Sequence, residues 1–188
     1  MLENLSLQQY TDQLASKAST PGGGSALAVV AGHACALVEM ALNVTHNRCQ
    51  KLGQDRPELL DVAQEFCQMR QRCFVLSEQD VATFKAVLQC NKMPAETDQQ
   101  KLQKQQCLQQ CYVEASQVPL QLMQLCHKAL ATPLPPLYKY VQSDADIGND
   151  LFKCVLKNSI HNVFANTCLL CDQQQKEQLE SLAKQLLD

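Results

Sequence analysis

Apolar residues recur at intervals of three and four along most of the chain, which is the spacing of one face of an α-helix. Polar or Pro- and Gly-containing breaks separate six such stretches, at residues 2–18, 25–46, 57–90, 96–129, 143–169 and 173–187. Ser143 and Asp172 are expected to cap the last two helices, and no helix is expected to cross the Pro-rich segment 132–136. Alternating runs of β-branched and aromatic residues, which are typical of strands, are nearly absent. The pattern predicts an all-α protein with one domain over residues 1–188, folded as an antiparallel up-and-down bundle of about five to seven helices.

The second stretch differs from the others because residues 26–44 are apolar nearly all round and mostly small. We expect a helix buried on most of its circumference. Three glycines, Gly22 to Gly24, precede it, and Ser25 is predicted to cap its first turn. The free amides of that turn favour an anion or a developing negative charge. A plain loop with a helix cap is the alternative. The run approaches membrane-spanning length, but Gly32, His33 and Glu39 interrupt it, which favours a helix in the core of a bundle.

Charge and cysteine content narrow the possible partners and location. The net charge of −3 gives no support to nucleic-acid binding. We expect a cytoplasmic protein, because no secretory signal pattern opens the chain. The eleven cysteines fall within helical patterns, so they are expected to be reduced and to pack as small hydrophobic residues. The pairs Cys168/Cys171 and Cys107/Cys111 lack the further ligands of a zinc site, so no metal is expected.

Asp80 is the strongest candidate for acid–base chemistry. It lies within the third apolar stretch, among Val81, Ala82 and Phe84, and apolar surroundings raise the pKa of a carboxyl group toward neutrality. The alternative is that Asp80 faces water beside Gln79.

Two further features bear on a polar site. Asn158, Asn162 and Asn166 recur every four residues and predict an amide-rich stripe able to bind a polar ring. Glu39 is a second acidic candidate, or else it is paired with a cation or faces outward. The four histidines show no paired ligand spacing.

Several ordered motifs resemble those of the formiminotetrahydrofolate cyclodeaminase/methenyltetrahydrofolate cyclohydrolase family. Residues 20–25 read TPGGGS ahead of an Ala-rich helix. The later motifs are DVATF at 80–84, MP with a following Thr at 93–97, ASQVPL at 115–120, SD at 143–144 and NVFAN at 162–166. The resemblance covers nearly the whole chain. It departs from the family where the lysine of an LPK motif is replaced by Ala95.

The resemblance implies an all-helical homodimer with a folate cleft at or near the dimer interface. Its expected reaction converts 5-formimino-tetrahydrofolate to 5,10-methenyl-tetrahydrofolate with release of ammonia. The alternatives are methenyl-tetrahydrofolate cyclohydrolase activity, or a non-catalytic folate-binding or helical interaction protein of the same fold. The expected small-molecule partner is the folate substrate, with no separate cofactor, no nucleic acid and no membrane.

The same resemblance assigns roles to individual residues. Asp80 matches the family's acidic position and is expected to be the general acid/base. The substrate-binding residues are expected to be Gly22, Gly23, Gly24, Ser25, Lys92, Asn162 and Asn166. Within this set the glycine segment and Ser25 would supply hydrogen bonds, and the two asparagines would orient the ring system. Lys92 is one of several lysines that would meet an anionic tail in place of the missing motif lysine.

Overall fold

The computed structural model describes residues 2–187, except for the side chain of Glu3, and this part of the chain is helical with no strand. A short 3-10 turn at Leu2–Asn4 precedes six α-helices. These are α1 (Leu7–Leu14), α2 (Gly23–Lys51), α3 (Glu58–Asn91), α4 (Asp98–Ala131), α5 (Gln142–Thr167) and α6 (Gln173–Gln185). The predicted all-α fold is confirmed.

The four long helices form the bundle. Each of α2, α3, α4 and α5 packs against the helix that follows it, and α5 returns to pack against α2. Short connections between long neighbouring helices make the arrangement antiparallel. Helix α6 lies against α5 and α4. The largest fully buried side chains in the core are Phe66, Phe152, Leu42, Leu59 and Leu76.

Small residues allow α2 to approach its neighbours closely, as its composition predicts. A Cβ atom on Gly148 of α5 would lie 2.9 Å from Val38 Cγ2 and 3.0 Å from the carbonyl oxygen of Ala34. A Cβ atom on Gly32 would lie 3.3 Å from the ring of Phe74 on α3. Helix α2 is therefore held between α3 and α5 by contacts that leave no room for larger residues.

Helix α2 is long and apolar enough to cross a membrane by length and composition, but half of its most apolar window is buried within the bundle. Core helices of water-soluble proteins meet the same criterion. The exposed His33 and the half-buried Glu39 both lie on this helix. His33 is thus not a core residue, and Glu39 pairs with Arg70 on α3 at 2.8 Å.

Some predicted helix ends are wrong. Helix α2 begins at Gly23 with Gly22 as its N-cap, so Ser25 lies inside the helix and does not cap it. Helix α2 ends at Lys51, beyond the predicted His46. Gly53 adopts a φ of 69° and allows the chain to turn there. The amides of Gln54 and Gly53 then donate to the carbonyl oxygens of Cys49 and Gln50 and close the helix. Ser143 does not cap α5, since Val141 is the N-cap residue.

Other predicted features of the helix ends are confirmed. Asp172 caps α6 by accepting a hydrogen bond from the Gln175 amide. The Pro-rich segment 132–136 lies outside any helix. Pro119 lies inside α4, and the kink that we expect there, because proline lacks a backbone donor, stays a prediction.

The expectation that all cysteines are reduced is wrong for one pair. Cys90 at the end of α3 and Cys107 on α4 are joined as a disulfide with a Cα–Cα distance of 6.0 Å. The pair forms because α3 and α4 are adjacent and antiparallel, which sequence spacing alone does not reveal. The other nine cysteines are thiols.

Candidate active site

A cavity of about 280 Å³ opens between the start of α2 and the facing sides of α3, α4 and α5. Four of the bundle elements contribute to it, which makes it a junction rather than a groove on one helix. Its lining consists of Ser19, Thr20, Gly22, Gly23, Gly24, Asp80, Thr83, Phe84, Val87, Tyr112, Ala115, Asn162, Ala165, Asn166 and Leu169. Among the residues that the structure describes, Asp80 is the only charged side chain in that lining.

The Asp80 carboxylate is held against the amino end of α2. Its Oδ2 accepts a hydrogen bond from the backbone amide of Ser25 at 2.9 Å. A Cβ atom on Gly24 would lie only 2.0 Å from Asp80 Oδ1. The absence of a side chain at Gly24 is therefore what allows the carboxylate to approach the helix end. Negative charge is favoured there by the helix dipole.

A chain of hydroxyl groups lies behind this contact. The buried Ser25 hydroxyl lies 2.7 Å from Ser77 Oγ and 3.1 Å from Tyr10 Oη. These contacts tie α1, α2 and α3 together one turn from Asp80. They hold in place the Ser25 amide that positions the carboxylate.

Burial raises the pKa of Asp80 above its ordinary value of 3.8, and the hydrogen bond from the Ser25 amide opposes part of that rise. Within residues 2–187, no cationic side chain lines the cavity to counteract the desolvation. A carboxyl group with this environment exchanges protons closer to neutral pH than an exposed aspartate does.

Two asparagines form the opposite wall. Asn166 Nδ2 donates to the carbonyl oxygens of Ala115 on α4 and Asn162 on α5, both at 3.0 Å. This fixes the Asn166 amide plane. Within residues 2–187 the Asn162 side chain has no hydrogen-bond partner, so its donors and acceptor are available to a ligand.

A family model described as formiminotransferase-cyclodeaminase matches residues 6–185, nearly the whole chain. The chain belongs to this family. It is 30% identical over 130 residues to a protein from Methylorubrum extorquens named methenyltetrahydrofolate cyclohydrolase. That alignment covers 69% of this chain and 62% of the relative, so the chain matches less than two thirds of that protein's length.

A solved structure supports the family fold. The formiminotetrahydrofolate cyclodeaminase from Thermotoga maritima superposes with a TM-score of 0.72 over 99% of this chain and 90% of that chain. At 22% sequence identity the likeness concerns the fold alone.

The structure brings most of the family-motif residues into one cavity. Asp80, the three glycines Gly22 to Gly24, Asn162 and Asn166 all line it. Asn158 does not, because it is exposed and donates to the carbonyl oxygen of Cys154 in its own helix.

Ser25 and Lys92 lie outside the lining. Ser25 is fully buried behind Asp80, where its amide and hydroxyl act on the protein's own groups. Lys92 is exposed at the carboxyl end of α3, twelve residues beyond Asp80. Twelve residues of helix correspond to about 18 Å.

Nine lining residues were not among the predicted site residues, and those with a threonine hydroxyl or an aromatic ring are Thr20, Thr83, Phe84 and Tyr112. Thr83 and Phe84 follow Asp80 by three and four residues, so their helical positions share its face. Thr20 belongs to the motif that contains the glycines. Tyr112 precedes Ala115 by three residues, but only the packing of α4 on α5 shows that it faces the cavity.

Proposed function

We propose that this chain is a folate one-carbon enzyme that cyclises 5-formimino-tetrahydrofolate to 5,10-methenyl-tetrahydrofolate and releases ammonia. The observation that carries the proposal is the placement of the Asp80 carboxylate in the cavity, fixed by the Ser25 amide and facing two asparagines. The family model and the name of the Methylorubrum extorquens relative support a folate substrate as well.

The reaction requires one group that moves protons. Folate N10 attacks the formimino carbon and forms a tetrahedral carbon bonded to both N5 and N10. Asp80 accepts the proton that N10 loses, and then protonates the departing nitrogen so that it leaves as ammonia. A carboxyl group whose pKa is raised by burial is suited to both transfers, because neither protonation state is strongly disfavoured.

The remaining polar groups bind and orient. Gly23 and Gly24 begin α2, so their amides have no acceptor within the helix and are available to a substrate oxygen or nitrogen. The Asn162 amide can donate and accept at a pterin edge, with Asn166 beside it. The Asp80 carboxylate also stabilises the cationic methenyl carbon of the product.

A second reaction is supported by a separate observation. The Methylorubrum extorquens relative is named a cyclohydrolase, and opening the methenyl ring by water passes through a tetrahedral carbon on the same two nitrogens. In that direction Asp80 removes a proton from the attacking water. Because the same groups serve both reactions, only turnover assays with the two substrates can distinguish the two activities.

The size of the cavity bears on where the rest of the substrate lies. At about 280 Å³ it is at the small end of ligand sites and suits the pterin end of a folate. The glutamate tail would then extend outward, and Lys92 remains our predicted contact for it. Phe84 and Leu88 are 41% and 37% exposed on α3, and the homodimer stays a prediction. A cytoplasmic location also stays a prediction.

Parallel turnover assays with the two substrates test the proposal. Incubation with 5-formimino-tetrahydrofolate is expected to raise the methenyl absorbance and release one ammonia per product. Methenyl-tetrahydrofolate in a second assay is expected to be hydrolysed with a kcat/KM lower by about tenfold or more. The reverse order of the two kcat/KM values would establish the cyclohydrolase instead. No turnover of either substrate by a folded protein would overturn both proposals and favour a non-catalytic member of the family.

A further inference from the structure

Three cysteine sulfurs meet between α3 and α4, outside the cavity. Cys90 lies at the end of α3, and Cys107 and Cys111 lie on successive turns of α4. The three Sγ atoms all lie within 4.8 Å of one another. Cys90 and Cys107 are joined, and Cys90 Sγ also lies 3.5 Å from Cys111 Sγ.

The local structure places these residues firmly. The Thr97 capping box starts α4 immediately after the turn from α3. Lys104 Nζ, one turn before Cys107, donates to the carbonyl oxygens of Asn91 and Met93 at 2.7 and 3.2 Å. The turn is thereby fastened to α4, which brings Cys90 opposite the two α4 cysteines.

A disulfide accounts for only two of the three sulfurs. Cys111 is a buried free thiol whose sulfur contacts Cys90. The disulfide between Cys90 and Cys107 does not require this third sulfur. Metal–sulfur bonds of about 2.3 Å place two ligand sulfurs about 3.8 Å apart. The 3.5 Å between Cys90 Sγ and Cys111 Sγ is close to that value, and all three sulfurs lie within 4.8 Å of one another. Once the disulfide is reduced, small side-chain rotations therefore produce a three-sulfur metal site.

We propose that, when the disulfide is reduced, Cys90, Cys107 and Cys111 bind one thiophilic d10 metal ion, Cu(I) or Zn(II). Soft thiolate ligands favour both ions. Three thiolates complete the coordination of Cu(I), so Cu(I) is expected to bind more tightly than Zn(II). Zn(II) prefers four ligands, and the half-buried side of Cys107 gives access to a water molecule as the fourth.

The chemical steps balance as follows. A dithiol reductant supplies two electrons and two protons to the Cys90–Cys107 disulfide and becomes a disulfide itself. The three protein thiols then lose three protons as three sulfur–metal bonds form. The metal keeps its oxidation state. Because Lys104 is held beside the turn by the carbonyl oxygen of Asn91, a positive charge lies near the resulting anionic centre.

Metal titration of the reduced protein tests the proposal. The full chain is reduced, freed of reductant without oxygen and titrated separately with Cu(I) and Zn(II) against a chromophoric chelator. One equivalent per chain is expected, and X-ray absorption of the copper form should show three sulfur ligands. Binding at about 100-fold excess over the dissociation constant should raise Tm by about 5–10 °C.

Cysteine variants distinguish this site from other thiols. Cys111→Ser is expected to weaken binding at least about 100-fold, and Cys107→Ser serves as a second test at a half-buried position. The double variant Cys168→Ser/Cys171→Ser, which removes an exposed pair, is the matched control and should retain one equivalent. Circular dichroism checks that each variant is folded.

Three results would overturn the proposal. The reduced protein could bind no metal, the stoichiometry could be unchanged when both Cys107 and Cys111 are replaced, or binding could disappear in the control variant. Folate turnover is not part of this test, so its outcome is independent of the proposed enzymatic function.

Discussion

The Asp80 carboxylate occupies space that a methyl group on Gly24 would fill. The Cβ of an alanine there would lie 2.0 Å from Oδ1 and 2.7 Å from Cγ of the carboxyl group. The carboxyl group lies at the end of a side chain that can rotate, so the fold can absorb the change while the hydrogen bond to Ser25 is lost. Position 24 therefore controls the geometry of the proposed acid/base.

We expect Gly24→Ala to lower kcat by about 100-fold or more, because misplacing a catalytic group by about 1 Å has that effect. Tm should change by only a few degrees. Gly23→Ala is the matched comparison, since its methyl group would meet no atom within 4 Å, and its kcat should fall only a few-fold. Equal losses in the two variants would show that the contact between Gly24 and Asp80 does not matter.

The pH profile of turnover should report the raised pKa of Asp80. Cyclisation needs the carboxylate form as base, so kcat should fall as the pH decreases through that pKa. Because burial raises the pKa of Asp80 above 3.8, the acid limb should lie above the range of an ordinary aspartate. Measuring kcat from pH 4 to pH 9 checks this, and an acid limb centred near 3.8 would contradict it.

The raised pKa of Asp80 also affects stability. As the pH rises through it, kcat should increase but the stability of the folded state should decrease. Because the folded pKa lies above the unfolded pKa, the folded state loses stability as the pH rises through this interval. Asp80→Asn removes the buried charge and should raise Tm by about 1–4 °C at pH 7. The gain should shrink as the pH falls through the raised pKa of Asp80, because the carboxyl group of the parent protein then becomes protonated. A lower Tm at pH 7 would show that the charge stabilises the fold.

At the scale of helices, the contact of α2 with α5 depends on Gly148. A Cβ atom there would lie 3.0 Å from the backbone carbonyl oxygen of Ala34 as well as close to Val38. A backbone atom cannot rotate away, so the two helices must separate. This differs from Gly24, where the obstructing atoms belong to a side chain.

Gly148→Ala should destabilise the protein by about 1–3 kcal/mol, although alanine is the better helix former. Thermal or urea unfolding would measure the loss. Lys157→Ala, at an exposed position of the same helix, is the control and should stay within about 0.5 kcal/mol of the parent. A Gly148→Ala protein as stable as this control would contradict the close packing described for α2 and α5.

The apolar periodicity predicted which segments are helical, but it did not predict where each helix begins and ends. The spacing predicted all the long helices because each must bury one face. The two serine caps were wrong because Ser25 and Ser143 already lie inside their helices, whose first turns are set by packing and by the preceding backbone. The end of α2 depends on the positive φ of Gly53, and this glycine was a signal present in the sequence.

At the scale of the molecule, the bundle assembles a site from residues as far apart in the sequence as Ser19 and Leu169. The motifs predicted that Asp80, the glycine segment and Asn162 and Asn166 belong to one site, and all of them line the cavity. Tyr112 and the three-cysteine cluster could not be predicted, because both require knowing which faces of α3 and α4 meet. Lys92 was assigned by its position near a motif, whereas the cavity lies earlier on α3, around Asp80.

The central claim, that Asp80 transfers protons during a folate one-carbon reaction, is tested most directly by one comparison. Methenyl formation from 5-formimino-tetrahydrofolate is followed at pH 7 with the parent protein and with Asp80→Asn, which keeps an oxygen acceptor for the Ser25 amide. We expect turnover by the parent and a kcat about 10²–10⁴-fold lower for the variant, with the fold retained. Equal rates in the two proteins would contradict the account.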